Sequence, residues 1–451
     1  MTLHPPPVRF DDARPIALAI AREAAGTGLD VLLVRDVLGR FVVALDDRGE
    51  HLAGEAVDRW HGQMSEQLGP YAAASPVVLA SKLFAADALF GSPRVVDLPS
   101  EESGPGRGRL RTIDNTVVGE DWPRVSTPVD ASRSAVTPRV ALYGFKGGVG
   151  RSTATFLLAK HLADQGRCVL VVDLDLESPG SGPLLVGDEQ MPQYGLVDHL
   201  VEDALGNAEG LDLVVRASHV SVKGNGELWV APARGRGSDR SQAPYSYVDK
   251  LNRIYTDGAG DGDSGFAERM DAAVSACEST VARLSRRPDV VLLDSRAGIH
   301  DIAAVAISRL ADLALLFGSD NVQTWTGYHD LFSAWSAAGK AELIRDKLRM
   351  VASMVPDTPD RKQDAYLESF REHAWSSFSV LYDDLAADDP TGFNPSPEDS
   401  SAPHAPVPIL FTLELVGLDG AATPGWSERT FVQAAYRTFL DTATRLIVEG
   451  T

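Results

Sequence analysis

The sequence predicts an α/β protein: a mostly parallel, doubly wound sheet over residues 139–451, preceded by a smaller α+β domain over residues 1–98. Three observations carry the prediction. First, apolar runs of strand length recur with room for a helix between them, at Val140–Tyr143, Cys168–Val172, Leu228–Ala231, Val290–Leu293, Leu313–Phe317, Met350–Met354 and Ile409–Phe411, as a sheet covered on both faces requires. Second, a glycine-rich loop, Gly144-Phe-Lys-Gly-Gly-Val-Gly-Arg-Ser-Thr153, separates the first run from the helical pattern of Ala154–Leu162. Third, two turn-rich stretches, Pro99–Gly108 and Pro123–Pro138, set the N-terminal part off from the rest.

Within the N-terminal part, Pro15–Ala25 reads as a helix with proline in its first turn. Asp30–Val34 and Phe41–Leu45 form a strand pair around Leu38-Gly39-Arg40, and Gly54–Leu68 is a second helix. Arg109–Trp122 reads as a strand pair or extended arm inside a linker spanning residues 99–138. No catalytic constellation occurs here, and the expected role is that of an adaptor to a protein partner.

The glycine-rich loop carries the chemistry. Between a strand and a helix, glycines let backbone N–H groups approach phosphate oxygens, and the helix N-terminus adds partial positive charge. The sheet is therefore expected to be of the P-loop NTPase type. An ordinary loop of this kind ends Gly-Lys-Ser/Thr; here Arg151 holds the lysine position and a second base, Lys146, leads the loop. Arginine is longer and planar, with a fixed fork of donors that suits two phosphate oxygens at once, so nucleotide binding is expected to survive. Turnover depends on charge placed to within a fraction of an ångström, and a shift of about 1 Å costs about a hundredfold. Slow hydrolysis and a nucleotide-locked scaffold both remain open.

Two later runs end in acids, where open α/β sheets place ligands. Val169–Val172 delivers Asp173-Leu-Asp175-Leu-Glu177-Ser-Pro-Gly180. Val290–Leu293 delivers Asp294-Ser-Arg296-Ala-Gly298.

Taken together, Lys146-Gly147-Gly148-Val149-Gly150-Arg151 and the two acidic strand ends resemble the deviant Walker A loop, first switch and Walker B strand of the MinD/ParA family of ATPases, and the arginine form resembles its KGGVGR-motif variants. The resemblance spans residues 139–449. It implies ATP and Mg²⁺ as cofactors, with Lys146, Gly147, Gly148, Val149, Gly150, Arg151, Ser152, Thr153 and Gly298 around the nucleotide. It further implies that Lys146 reaches a partner's nucleotide across an ATP-dependent homodimer and that Asp175 positions the attacking water. Asp173 lies near the metal, and Asp294 and Ser152 hold Mg²⁺, partly through water. Gly298 senses the γ-phosphate. Arg296 stands where the family usually has proline; it supplies charge to the reaction or pairs with a nearby acid. The resemblance makes a slow ATP-driven switch the expected function and an ATP-loaded scaffold its alternative; relatives of this variant type are similar to parts of bacterial regulatory or defence systems.

Composition restricts the other classes. Of 451 residues, 63 are acids and 42 are Lys or Arg, for a net charge of −21, and a globally acidic surface repels phosphate backbones. The basic candidates for a nucleic-acid patch are Arg107, Arg109, Arg111 and Arg139 near the linkers, and Arg283, Arg286 and Arg287 before the Walker B strand; a solvated helix end explains the last three. Two cysteines, Cys168 and Cys277, make no paired motif and suit a reducing cytosol. No apolar run approaches the roughly 18 residues of a membrane span, so a cytoplasmic location is expected. Phe431–Val448 mixes Arg437, Asp441, Arg445 and Glu449 with apolar positions and reads as a core-packed final helix rather than a lipid-surface one.

Two excursions remain. Residues 234–264 carry Tyr245, Tyr247 and Tyr255 and serve a partner or pack as an internal insertion. Residues 383–404, acidic and rich in Pro and Ser, read as a mobile insertion. Val351-Ala-Ser353-Met354 lacks the asparagine that MinD-like proteins often place near the base, so adenine rests on the resemblance alone. Bacterial tyrosine kinases share the sheet, but the tail after Leu440 lacks their tyrosine cluster.

Overall fold

The structure is a computed structural model that describes residues 8, 10–49, 54–98, 108–115, 122, 125, 137–237, 245–255, 265–357, 361–384, 392–418, 420 and 423–449. The chain divides into two compact units, Met1–Glu120 and Asp121–Thr451.

In the first unit α1 (Phe10–Ala25), β1 (Asp30–Arg35), β2 (Phe41–Asp46), α2 (Gly54–Leu68), β3 (Ala72–Leu79), α3 (Ala86–Phe90), β4 (Val96–Asp97) and β5 (Leu110–Asp114) follow in order. They build a mixed sheet, β3-β2-β1-β5-β4. Ala13, Ala17 and Ala21 of α1 and Trp60 and Met64 of α2 cover one face over Val31, Leu33, Val43 and Leu45. Pro15 lies in the second turn of α1, not the first. The helix begins earlier because Ala13 extends its buried face, while proline's fixed φ already suits a helix. The segment read as a strand pair or extended arm gives one strand to this sheet: β5 pairs parallel with β1 and antiparallel with β4.

The second unit runs β6 (Arg139–Gly144), α4 (Arg151–Asp164), β7 (Cys168–Leu174), α5 (Ser181–Leu185), α6 (Leu196–Asp203), β8 (Val215–Arg216), β9 (Glu227–Ala231), α7 (Tyr247–Leu251), α8 (Phe266–Leu284), β10 (Val290–Ser295), α9 (Asp301–Val305), β11 (Leu313–Gly318), α10 (Val322–Ala337), α11 (Ala341–Arg345), β12 (Leu348–Val355), α12 (Arg361–Phe378), β13 (Val407–Leu410) and α13 (Thr430–Glu449). Its sheet has the order β13-β12-β11-β6-β10-β7-β9-β8, parallel throughout except for β8 against β9. Six of the seven runs read from the sequence lie within strands of this sheet, and the seventh, Ile409–Phe411, overlaps the end of β13, which stops at Leu410.

Alternation along β6 explains why that strand is apolar at successive positions. Ala141 and Tyr143 face a core built with α6, α8, α10 and α12, while Val140 and Leu142 face α4 and α13. The final helix packs as expected, with Val432, Ala435 and Phe439 buried against the sheet. Trp122 is also buried in this unit, its ring against Tyr143 and Trp335 and its carbonyl accepting Trp335 Nε1–H at 2.7 Å.

The stretch read as a mobile insertion is in part packed. Residues 385–391 lie outside the described ones, but Asp383 accepts bonds from Arg345 and the Phe393 N–H, both at 2.6 Å. Trp375 Nε1 donates to Pro395 O, and His404 is fully buried beside Tyr382. Acidic, proline-rich composition signalled solvation here; a few anchoring rings override it.

Candidate functional site

Parallel pairing brings the carboxyl ends of β6, β7 and β10 side by side. Asp294 is in register with Asp173 and with Leu142. The glycine loop leaves β6, on the side of β10 away from β7, and enters α4. Gly148 and Gly150 hold φ of 78° and 80°, the left-handed region in which a Cβ is strained. A Cβ on Gly147 or Gly148 would meet nothing within 4 Å. The loop is thus open on its outer side, and the first-turn N–H groups of α4 have no intrahelical acceptor. Together they form a phosphate cradle.

Arg151 is the first residue of α4 and is buried. Its guanidinium spans the two acidic strand ends: Nε donates to Asp294 Oδ1 at 2.8 Å and Nη2 to Asp175 Oδ2 at 2.7 Å. Burial opposes its charge, yet the two carboxylates outweigh burial and raise its pKa further. The sequence separated these three residues into three motifs. The structure joins them into one ion triad.

Asp173, fully buried, organises the first switch from within. Its Oδ1 accepts the Asp175 N–H at 3.2 Å, and its Oδ2 accepts the N–H groups of Gly180 and Gly182 at 3.1 and 2.8 Å. Burial, then repulsion from Asp294, pushes its carboxyl up to about 8 from 3.8. Burial likewise raises Asp175, with Arg151 pulling in the opposite direction. A folded pKa above the unfolded one means that the native state holds more protons between those values, so stability falls as pH rises through that window. Nucleotide-free protein should therefore lose melting temperature between about pH 5 and about pH 8. Asp173→Asn should flatten that decline, whatever its absolute stability; an unchanged slope in a differential scanning series would remove Asp173 as the cause.

The second switch is tied to both neighbours. The Gly298 N–H donates to Gly144 O at 3.4 Å, and Tyr143 Oη donates to Gly298 O at 3.2 Å. Arg296, for which two roles were open, pairs with Glu177 Oε1 at 2.6 Å. Glu177 also accepts the Tyr255 hydroxyl at 2.8 Å, and Tyr247 donates to Leu176 O at 2.5 Å. The tyrosine segment thus packs against the first switch, although residues 238–244 and 256–264 lie outside the described ones. Burial holds His300, 3.6 Å from Glu177, below its usual range. Sequence reasoning named Tyr255 only within an excursion that serves a partner or packs internally, and assigned no role to Glu177 or His300; the position of Glu177, two residues past Asp175, was the hint.

Lys146 is exposed and bonds to Gln323 Oε1 at the start of α10. Ser152 and Thr153 are partly buried in the first turn of α4. The Ser152 hydroxyl lies close enough to Gly180 that a Cβ there would sit 2.8 Å from it. Asp294 Oδ2 and the hydroxyls of Ser181 and Ser295 are buried and carry no hydrogen bond. The unpaired carboxylate oxygen of Asp294, at the strand end beside β6 and its phosphate loop, fits Mg²⁺, which uses one or two carboxylates and substrate phosphates. Among the basic candidates, Arg139 is buried on Asp271 and Glu278. Arg109 and Arg111 bond to Asp30 and Phe90 O, and Arg286 and Arg287 to Gly166 O and Thr137. Arg107 lies outside the described residues. No described helix is long and apolar enough to cross a membrane.

Comparison with known proteins accords with this geometry. The sequence profile of the CobQ/CobB/MinD/ParA nucleotide binding domain matches residues 140–366, half of the chain. The chain belongs to this family. Its CobQ/CobB/MinD/ParA domain thus takes in the loop, both acidic strand ends and Lys146 with its partner Gln323. The chain is similar to the uncharacterized Mycobacterium tuberculosis proteins MT1749 and Rv1708, each 27% identical over 173 residues, 36% of this chain and 52% of theirs. The match thus spans about half the length of those relatives. Among solved structures it is similar to the MinC:MinD cell division protein complex of Aquifex aeolicus, with TM-score 0.41, 18% identity and coverage of 69% of this chain and 96% of that one. It is also similar to cobyrinic acid a,c-diamide synthase from Mycobacterium smegmatis with bound ATP analog and magnesium, with TM-score 0.41, 18% identity and coverage of 70% and 98%.

Proposed function

We propose that this protein is an ATP-binding molecular switch that hydrolyses ATP slowly with Mg²⁺, dimerises face to face around two nucleotides, and acts in the cytoplasm on a protein partner through its N-terminal unit. The observation that carries the reading is the Arg151 triad. The variant arginine pairs with the acid assigned to the attacking water, Asp175, and with the acid assigned to the metal, Asp294. Phosphates entering the loop offer the same guanidinium a second set of acceptors. Loading is then an exchange of partners: Arg151 moves from carboxylates to phosphate oxygens, which frees Asp175 to orient water; Asp294 and Ser152 would hold Mg²⁺. Bound Mg²⁺ would supply charge neutralisation at the phosphates. Because the exchange gives up two short charged bonds, it supports slow loading and slow turnover.

Lys146 is the second support. It is exposed and reaches away from its own loop to Gln323, as a residue serving a partner's nucleotide must. The test is phosphate release with ATP and Mg²⁺, with oligomeric mass recorded in parallel, for wild type and Lys146→Ala. Slow release and an ATP-dependent dimer in wild type, both lost in Lys146→Ala with its melting temperature unchanged, are expected. Tight ATP binding with no release would favour the scaffold instead.

A further inference from the structure

Glu177 sits where four segments meet. It projects from the first switch and receives Arg296 from the second switch at 2.6 Å, and it accepts the Tyr255 hydroxyl from the segment after α7 at 2.8 Å. One residue earlier, the Leu176 carbonyl accepts the Tyr247 hydroxyl from α7. On the inner side, Asp173 gathers three N–H groups of the same loop. The backbone that carries Asp175 is therefore held between an inner carboxylate and an outer clamp. Asp175 itself is fixed through Arg151 and through the Ser178 N–H, which donates to its Oδ1 at 3.2 Å.

We propose that Glu177 and Arg296 are positioning residues: their ion pair, braced by Tyr255, locks the first switch to the second and sets where the Asp175 carboxylate stands relative to the phosphate loop. This rests on the switch reading for its catalytic consequence, but the clamp itself is made by contacts among this chain's own residues. Arg296 in this arrangement serves geometry, and its charge is engaged by Glu177. Glu177, Arg296 and Tyr255 lie within the residues that the family profile matches, 140–366, yet the clamp is assembled by contacts 78 residues apart for Tyr255 and Glu177, and no short motif encodes it.

The physical expectation is a separation of binding from turnover. The loop glycines and Arg151 are untouched when Glu177 changes, so ATP affinity should stay within about threefold. Displacing Asp175 by a fraction of an ångström to about 1 Å should lower kcat about ten- to a hundredfold. Tyr255→Phe removes one hydroxyl and should act in the same direction with a smaller effect.

The experiment uses the full chain with Glu177→Gln, Arg296→Glu, and the double reversal Glu177→Arg with Arg296→Glu. Amide hydrogen exchange of the nucleotide-free proteins should rise across residues 174–182 in the single variants and return toward wild type in the double reversal. Steady-state turnover should follow the same order, with binding of a fluorescent ATP analogue preserved. Single variants whose exchange matches wild type, or a double reversal no better than either single variant, would overturn the clamp. If wild type shows no turnover, the hydrolytic reading fails, and the exchange and rescue data decide the clamp on their own.

Discussion

Arg151→Met is expected to destabilise the nucleotide-free protein by about 3–5 kcal/mol, the usual cost of removing one partner from a buried ion pair. The magnitude follows from what is left behind. Asp294 is fully buried and Asp175 nearly so, beside a third carboxylate, Asp173, that burial and Asp294 already push up to about 8. Without the guanidinium the two acids must stay charged in a poor solvent or take up protons. Proton uptake is easier at low pH, so the loss should be larger at pH 8 than near pH 5. Arg151→Lys keeps the charge on a compact head that cannot span both acids as a fork does, and it should lose less. Magnesium ions should restore part of the methionine variant's stability if Asp294 Oδ2, now without a partner, accepts a cation. Chemical unfolding at two pH values, with and without Mg²⁺, reads all of this. A methionine variant as stable as wild type would mean that the triad is not a charged assembly.

The contrast between what the sequence discloses and what it hides follows interaction range. The strands of the larger sheet are legible because each is a run of buried residues, and the phosphate loop because positive φ at Gly148 and Gly150 demands glycine locally. The triad is not, since Arg151 meets Asp175 and Asp294 across 24 and 143 residues. Arginine at the lysine position announces an exception, but only the register of β10 against β6 and β7 shows which acids it serves. The same holds for β5, whose pairing with β1 crosses 79 residues, as the Thr112 hydroxyl on Leu33 O illustrates. A two-sided linker composition made that strand look like an arm. For Arg296, chemistry alone left two roles in balance, and the structure pairs it with Glu177.

Asp175→Ala should reduce ATP turnover roughly a hundred- to ten-thousandfold, the range associated with losing a group that manages the reacting proton, while ATP binding is retained or strengthened. The argument turns on the same guanidinium. In wild type, Nη2 of Arg151 is engaged by Asp175 and Nε by Asp294; phosphate must compete with both. Removing Asp175 leaves one competitor, so the arginine moves to a phosphate more readily. The loop N–H groups are unchanged. A residue that merely shaped the first switch would behave differently, because losing it would loosen Asp173's bonds to Gly180 and Gly182 and weaken binding and turnover together. Asp175→Asn adds a control: it is similar in size and can still accept one bond from Arg151, but it has no charge to orient water. Equal turnover loss in both variants, with binding at or above wild type, assigns Asp175 to the water. Loss of binding in the alanine variant, with near-normal turnover in the asparagine one, would assign it to the scaffold of the loop.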